Sequence, residues 1–194
     1  MFNVRFHGRG GQGVVTAAEM LSVAAFDSGL HAQAFPTFGS ERTGAPVTSY
    51  CRVDKAPIRF HEPIELPQAV VVQDPTLLLA VPVLRGSGPT TYVLLNTSRP
   101  LSLAQYEDGD RLSPDRVVTL AATDLAREVL GRPLPNTALL GALAALTGVV
   151  SLEAVLDAIR QRFPQAIADA NVEVAVRAHA TVAADLSRGV GSRA

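Results

Sequence analysis

The sequence predicts a three-layer α/β fold, in which a mostly parallel, Rossmann-like sheet is followed by a helical C-terminal third. Three observations support this prediction. Short apolar runs alternate with helical periodicity up to about residue 120, which is the pattern of strand–helix–strand units. The runs at 69–73 and 92–96 have no polar alternation, as is typical of strands covered on both faces. Beyond residue 120 the apolar residues recur at helical spacing.

Each element of the sheet region has its own local signal. A strand over 2–7 leads into a helix over 14–28, which Gly29 ends. The run at 47–53 alternates apolar and polar residues and predicts a half-exposed strand. Further strands are predicted at 31–35, 69–73, 92–96 and 116–120. The segments 83–91 and 99–115 are polar and interrupted by Pro and Gly, which predicts surface loops.

Four helices are predicted in the C-terminal third, each with a start or stop signal. The helix over 121–130 ends at Gly131. The helix over 138–149, with Asn136 as its cap, is apolar nearly all round, so it lies in the core or under a partner subunit. Ser151 caps a third helix that Pro164 ends, and the last helix runs from about 165 to 186. We predict one domain over 1–186 and a disordered tail over 187–194.

Composition excludes several classes of protein. The chain has 194 residues with 47% apolar content, enough for one domain with its own core. A net charge of −1 provides no basic surface for nucleic acid. Cys51 is the single cysteine, so the chain forms no internal disulfide and cannot hold an iron–sulfur cluster by itself. The N-terminus shows no signal-peptide pattern and no apolar run reaches 18 residues, so we expect a cytoplasmic protein without a membrane span.

The pattern Gly8-x-Gly10-x-x-Gly13 lies between the first predicted strand and the first predicted helix. Glycines let the backbone turn tightly and approach a ligand, and the helix N-terminus attracts anions. A nicotinamide dinucleotide site would also need an acidic residue at the end of the second strand. The segment 31–36 contains none, and Arg9 and Gln12 are long for such a loop. The alternative is a tight turn that binds nothing.

A second unusual segment spans residues 34–46 and contains two prolines, two glycines and two phenylalanines. Loops of this length are often functional, although a packed surface loop is an equal alternative. In a parallel sheet the loops after the first two strands lie at the same edge, so the two glycine-rich segments could form one surface. Asp74 follows the strand at 69–73. It is either a ligand contact or, together with Pro75, the start of a helix, and the second interpretation explains both residues.

Six passages together resemble a known family. They are residues 5–17, 32–36, 38–47, 74–78, 136–141 and 163–171, and they extend the resemblance over roughly residues 2–180. The chain resembles the gamma subunit of 2-oxoacid:ferredoxin oxidoreductases, of the pyruvate synthase type. One departure is Thr43, where the family commonly has a second arginine.

The resemblance implies a place in a multi-subunit enzyme that oxidatively decarboxylates a 2-oxoacid and transfers the acyl group to coenzyme A. The complex would use thiamine diphosphate, Mg²⁺ and [4Fe-4S] clusters, held on alpha, beta and ferredoxin-like delta subunits and not by this chain alone. The chain would be a non-catalytic part of the enzyme. The resemblance leaves the 2-oxoacid open among pyruvate, branched-chain, 2-oxoglutarate and aryl-glyoxylate substrates, and it also leaves the electron acceptor open.

Together with the chemistry of glycine loops, the resemblance suggests that residues 8–13 and 38–44 line a channel for coenzyme A or a channel adjacent to the thiamine. Arg9 would add a charge-assisted contact to a phosphate. The predicted surface consists of Gly8, Arg9, Gly10, Gly11, Gln12, Gly13, Phe38, Gly39, Glu41, Arg42 and Thr43. Two alternatives stay open: an independent dinucleotide-binding oxidoreductase and a purely structural scaffold subunit.

Overall fold

The computed structural model describes residues 1–37, 43–59, 62–99 and 101–189. This part of the chain contains one six-stranded sheet and five α-helices. The strands are β1 (Phe2–Arg9), β2 (His31–Pro36), β3 (Pro46–Asp54), β4 (Ala69–Val72), β5 (Tyr92–Asn96) and β6 (Val117–Leu120). The helices are α1 (Val14–Asp27), α2 (Ala122–Leu130), α3 (Asn136–Thr147), α4 (Leu152–Arg162) and α5 (Gln165–Ser187).

The strand order is β2-β3-β1-β4-β5-β6. Strands β1, β4, β5 and β6 are mutually parallel, which confirms the mostly parallel sheet. Strand β3 is antiparallel to both β1 and β2 and separates them. The short connection over 37–45 explains why β3 is antiparallel to β2, because a parallel neighbour would need a crossover of a dozen or more residues. Since β1 and β2 point the same way, their carboxyl ends still share one edge.

One face of the sheet is covered by the helices. The core on this face joins α1 with α3, α4 and α5 over strand residues such as Phe6 and Val71. Helix α3 is buried on nearly every side, in the core of this chain. Gly141 lies so close to α5 that an added Cβ would be 2.2 Å from the carbonyl oxygen of Ala175. A glycine is therefore required where these two backbones meet.

The other face carries a second core made by 3₁₀ turns and irregular segments instead of α-helices. Val72 and Leu95 of the sheet pack there against Leu77, Leu84 and Leu103. The prediction of surface loops at 83–91 and 99–115 is therefore wrong for Leu84 and Leu103, which are 1% and 5% exposed. Their burial has no periodic signature because the segments are neither helix nor strand.

Most predicted helix ends are confirmed, and one is corrected. Gly131 ends α2 in a left-handed conformation (φ 66°), and the Ser151 hydroxyl accepts a hydrogen bond from Ala154 N–H at 3.2 Å. Asn136, in contrast, is the first residue of α3 and its side chain caps nothing, because Pro135 occupies the cap position. Helix α5 ends at Ser187, one residue into the predicted tail, and residues 190–194 lie outside the described part. The single-domain boundary and the disordered tail stay predictions.

Candidate functional site

The glycine loop, residues 8–13, connects β1 to α1 in a conformation that depends on glycine. Gly11 and Gly13 have φ values of 94° and 73°, in the left-handed region that side chains disfavour. An added Cβ on Gly8 would come within 2.6 Å of Val14 Cγ2 and 3.2 Å of Gln73 Cβ. Strand β1 continues two residues beyond the predicted end because β3 pairs with it as far as Arg9. The loop is therefore compact and closely packed at its start.

The first amides of α1 have no hydrogen-bond acceptor in the part of the chain that the structure describes. The first intrahelical hydrogen bond is donated by Ala17 N–H to Gly13 O at 2.9 Å. The amides of Val14, Val15 and Thr16 precede it, no side chain of residues 1–37, 43–59, 62–99 or 101–189 caps them, and the first turn contains no acidic residue. Such a terminus carries partial positive charge and suits a phosphate or another anion.

Arg9 is held by atoms of this chain. Its Nε donates to Asp74 Oδ2 at 2.9 Å, Nη1 to Gly44 O at 3.0 Å and Nη2 to Thr76 Oγ1 at 2.8 Å. Gln12 Nε2 also donates to Asp74 Oδ2 at 3.2 Å, and Gln12 Oε1 accepts from the Arg9 backbone N–H at 2.7 Å. Arg9 and Gln12 therefore fix the loop from inside, and the guanidinium has few donors left for a ligand.

Asp74 serves both the loop and the 3₁₀ turn that follows β4. Its Oδ1 accepts from Thr76 N–H at 3.0 Å, and Pro75 begins the turn, so the predicted helix-start role is confirmed. Burial raises the pKa of Asp74, but hydrogen bonds from Thr76 and Gln12 and the charge of Arg9 together bring this pKa below its ordinary value. The carboxylate is therefore the charged centre of the network.

The two glycine-rich segments meet, as predicted, for the residues that the structure describes. Gly10 N–H donates to Ala45 O at 2.9 Å, and Gly44 N–H donates to Gly10 O at 3.1 Å. Gly10 and Thr43 form a short parallel bridge. Four predicted site residues, Phe38, Gly39, Glu41 and Arg42, lie outside the described residues.

Two cavities flank the N-terminus of α1 and share Gly11, Gly13 and Thr16. The first, which we call the glycine-loop cleft, has a volume of about 470 Å³ and is also lined by Arg9, Gly10, Val14, Val15, Thr43 and Val47. The second, which we call the helical groove, has a volume of about 540 Å³. It is also lined by Val129, Leu130, Arg132, Leu134, Asn136, Arg162, Phe163, Ala166, Ile167, Ala170 and Asn171.

Asn136 lies beside the glycine loop, a position that the sequence analysis did not predict. Its side chain lies against Gly13, whose added Cβ would be 2.6 Å from Asn136 Nδ2. The residue is 7% exposed, and its carboxamide lies in the wall of the helical groove. The sequence gives one signal at this position, an asparagine in front of an apolar helix in the passage 136–141. This pattern is typical of a helix N-cap and does not predict a side chain beside the glycine loop.

His7 lies directly before the glycine loop and is buried. Its Nδ1 is 3.2 Å from Thr48 Oγ1, and its Nε2 is enclosed without a hydrogen-bond partner in the described structure. Burial, and secondarily the charge of Arg5, lower the pKa of His7 to about 3. The imidazole is therefore neutral at ordinary pH and adds no positive charge to the site.

The described residues show no assembly of metal ligands. Over 1–37, 43–59, 62–99 and 101–189, no group of three or more His, Cys, Asp or Glu side chains is arranged to hold a metal ion. Cys51 is fully buried in β3, and burial raises the pKa of its thiol, as expected for a structural cysteine. None of the helices in the described ranges is both long enough and apolar enough to cross a membrane.

The sequence is similar to gamma subunits of other organisms over about nine-tenths of its length. The common gamma subunit of the pyruvate/ketoisovalerate oxidoreductases of Thermococcus kodakarensis is 46% identical over 178 residues, which cover 92% of this chain and 95% of the relative. Pyruvate synthase subunit PorC of Methanothermobacter thermautotrophicus is 44% identical over 179 residues, covering 92% and 94% of the two chains.

Solved structures share the fold. The crystal structure of pyruvate oxidoreductase subunit PORC from Thermotoga maritima has a TM-score of 0.78 and 36% identity, covering 92% of this chain and 95% of that one. A 2-oxoglutarate:ferredoxin oxidoreductase from Magnetococcus marinus, at 16% identity, has the same fold over 94% of this chain and 31% of its own (TM-score 0.72).

The family model described as pyruvate ferredoxin/flavodoxin oxidoreductase matches residues 3–181, which include the glycine loop, Asp74, Asn136 and both cavities. Together with the identity to the gamma subunits, this match shows that the chain belongs to the pyruvate ferredoxin/flavodoxin oxidoreductase family.

Proposed function

We propose that this chain is the gamma subunit of a CoA-acylating 2-oxoacid:acceptor oxidoreductase and that its glycine loop forms part of the surface that binds coenzyme A. The observation that supports this proposal most directly is the N-terminus of α1, whose first amides have no hydrogen-bond acceptor among the described residues and which lies beside two cavities. Phosphate groups are the part of coenzyme A that such a terminus suits.

The proposal assigns the redox chemistry to other subunits. An iron–sulfur cluster needs about four thiolates, and this chain has one cysteine, which is fully buried. The sequence also lacks a Gly-Asp-Gly motif of the thiamine-binding type. Alpha and beta subunits would hold thiamine diphosphate with Mg²⁺, and a ferredoxin-like delta subunit would hold the [4Fe-4S] clusters. The complex would work in the cytoplasm.

Within this proposal Arg9 positions the loop and does not clamp the phosphate. Its donors face Asp74, Gly44 and Thr76 of the same chain. The phosphate would instead contact backbone amides at Val14, Val15 and Thr16, which require no side-chain charge. This assignment replaces the expectation of a direct contact between Arg9 and the phosphate.

The alternative of an independent dinucleotide enzyme is disfavoured by the topology. In a dinucleotide-binding sheet the second strand lies beside the first and ends in the acid that holds the ribose. Here the neighbour of β1 on that side is the antiparallel β3, which begins at Pro46 at the ligand edge. The second strand itself, over 31–36, also contains no acidic residue.

The proposal is tested with Gly11→Ala in the reconstituted complex. Gly11 lines both cavities, and a Cβ there meets no atom of the described residues within 4 Å. Gly29→Ala is the matched control, because Gly29 at the other end of α1 has a similar positive φ of 80° and equally open surroundings. We expect the KM for coenzyme A to rise about tenfold in Gly11→Ala only, with the KM for the 2-oxoacid unchanged.

Size-exclusion chromatography of the same samples separates the two remaining interpretations. An intact complex with an unchanged KM for coenzyme A would reject the ligand-binding role. A complex that loses its partner subunits in Gly11→Ala but not in Gly29→Ala would instead support the scaffold alternative.

A further inference from the structure

We propose that the outer edge of β2 is an interface between two copies of this chain. The second copy adds its own β2 in antiparallel orientation, across a two-fold axis that passes by Gln33, so that the two sheets form one continuous sheet. This inference goes beyond the proposed function and does not depend on it, because no residue of β2 lines either of the cavities beside α1.

The first observation is that the edge of β2 is unprotected. Strand β2 is the last strand on its side of the sheet, and among the described residues it pairs only with β3. It contains no Lys, Arg, Asp or Glu, its one proline is its last residue, and it pairs with β3 without a bulge. Soluble proteins normally protect a strand edge with charges, prolines or bulges, because unpaired amides and carbonyls attract another chain. This edge therefore favours the addition of a further strand.

The second observation is the direction of the backbone groups. Thr37 N–H donates to Thr48 O at 2.9 Å, so Thr37 directs its backbone groups toward β3. Successive residues of an antiparallel pair alternate between facing the neighbouring strand and facing away from it. The N–H and C=O groups of Ala32 and Ala34 consequently point outward, and in the described structure none of them has a hydrogen-bond partner.

These outward groups match a second copy of the same strand. With a two-fold axis at Gln33, Ala32 lies opposite Ala34 of the second copy, and each pair exchanges both of its hydrogen bonds. All outward donors and acceptors of the two alanines are then used. An axis at Ala34 would instead place Pro36, which has no N–H, opposite Ala32. The register centred on Gln33 is therefore the one that completes the edge.

The third observation is an apolar side chain that α1 leaves uncovered. Helix α1 packs over β2 and β3, and α4 lies on one flank of α1, where Gln161 Nε2 donates to Asp27 Oδ2 at 2.7 Å. Phe26 points about 100° away from Asp27 around the helix and is 68% exposed. The two-fold axis keeps both helical layers on the same side of the sheet, so α1 of the second copy would pack beside Phe26.

The first test is a disulfide across the axis, in the full-length chain alone and in the reconstituted complex. Gln33→Cys places each thiol opposite its copy in a non-hydrogen-bonded pair, where the Cβ atoms lie about 4.5–5.5 Å apart. His31→Cys is the matched control, because in this register its two copies are separated by about 14 Å along the strands. The natural Cys51 is fully buried and should not react. Non-reducing electrophoresis measures the linked dimer.

The second test removes an outward hydrogen-bond donor. Ala34→Pro deletes an N–H that faces away from β3, so the pairing of β2 with β3 is kept. Ala34→Ser retains the N–H and is the matched control. Sedimentation equilibrium measures the dissociation constant of the dimer, which should rise at least about tenfold in Ala34→Pro, because both copies lose a hydrogen bond. It should stay unchanged in Ala34→Ser, and circular dichroism verifies that each variant is folded.

A disulfide-linked dimer of Gln33→Cys but not of His31→Cys supports the inference. A wild-type chain that stays monomeric at the highest concentration measured, with no Gln33→Cys disulfide in the complex, overturns it. Equal dissociation constants for the wild type and Ala34→Pro also overturn it, because the dimer would then use another surface. If Ala34→Pro releases a different subunit from the complex while the chain alone is monomeric, the edge pairs with that subunit and the inference is wrong.

Discussion

Asp74 and Arg9, which lie 65 residues apart in the sequence, form a hydrogen-bonded ion pair with an Oδ2–Nε distance of 2.9 Å. Asp74 keeps 15% of its side-chain surface exposed, and Arg9 keeps 31%. The pair joins the end of β4 to the glycine loop after β1, and Gln12 shares the same carboxylate oxygen. The shape of the loop is therefore set from the neighbouring strand and not by its glycines alone.

The first prediction concerns this pair. Asp74→Ala leaves Arg9 and Gln12 without their acceptor, so we expect a loss of about 1–3 kcal/mol in the free energy of unfolding and a higher KM for coenzyme A in the complex. Urea denaturation measures the first and steady-state kinetics the second. Asp157→Ala is the control, because its pair with Arg160 is exposed and within one helix, and its removal should cost at most about 0.5 kcal/mol. Equal losses in the two variants would contradict the positioning role of Asp74.

The sequence predicted those elements whose conformation is set by residues close to one another in the chain. Gly131 ends α2 in a left-handed conformation, and its N–H donates to Arg127 O. Ser151 begins α4, and its hydroxyl accepts a hydrogen bond from Ala154 N–H. The unbroken apolar runs at β4 and β5 predicted strands covered on both faces. The use of Asp74 and Pro75 to begin a turn also depends on residues within two positions of each other.

Long-range contacts account for what the sequence could not show. The ion pair between Arg9 and Asp74 depends on the parallel pairing of β1 with β4. The positions of charged residues along the sequence do not show which strands become neighbours. Asn136 has a sequence pattern typical of a cap, but packing against Gly13 turns its side chain toward the groove. Strand β3 lies between β1 and β2. Local sequence signals do not show this order, and the fingerprint Gly8-x-Gly10-x-x-Gly13 by itself suggests a dinucleotide topology.

The second prediction concerns the contact between α3 and α5. A Cβ on Gly141 would lie 2.2 Å from Ala175 O, which belongs to a helix backbone and cannot move alone. Gly141→Ala should therefore force the helices apart, destabilise the fold by about 1–3 kcal/mol and widen the groove between Asn136 and Ile167. Thermal unfolding measures the stability. Gly88→Ala, at a position with open surroundings, serves as the control and should unfold like the wild type.

A further consequence of Gly141→Ala separates packing from chemistry. Because the N-terminus of α3 packs against Gly13 of the glycine loop, separation of the helices should weaken coenzyme A binding in the complex even though Gly141 lines neither cavity. A variant with reduced stability and unchanged coenzyme A binding would show that the position of α3 does not matter for the site.

The third prediction concerns the pH dependence of stability and His7. The pKa of this buried imidazole is lowered to about 3 in the folded chain, mainly by burial, whereas an unfolded histidine has a pKa of about 6.5. Between these values the unfolded chain binds a proton that the folded chain does not, so stability falls as the pH falls from 6.5 toward 3. At pH 5 this effect amounts to about 2 kcal/mol relative to pH 8. The aspartates with lowered pKa, such as Asp74, lose their stabilising effect only at lower pH.

Urea denaturation at pH 5 and pH 8 tests this prediction. The free energy of unfolding should fall between pH 8 and pH 5 by about 2 kcal/mol less in His7→Gln than in the wild type. His31→Gln removes an exposed imidazole and serves as the matched control. If the wild type and His7→Gln lose the same stability between pH 8 and pH 5, His7 is not buried in its neutral form, and the site beside the glycine loop carries one more positive charge than the structure assigns to it.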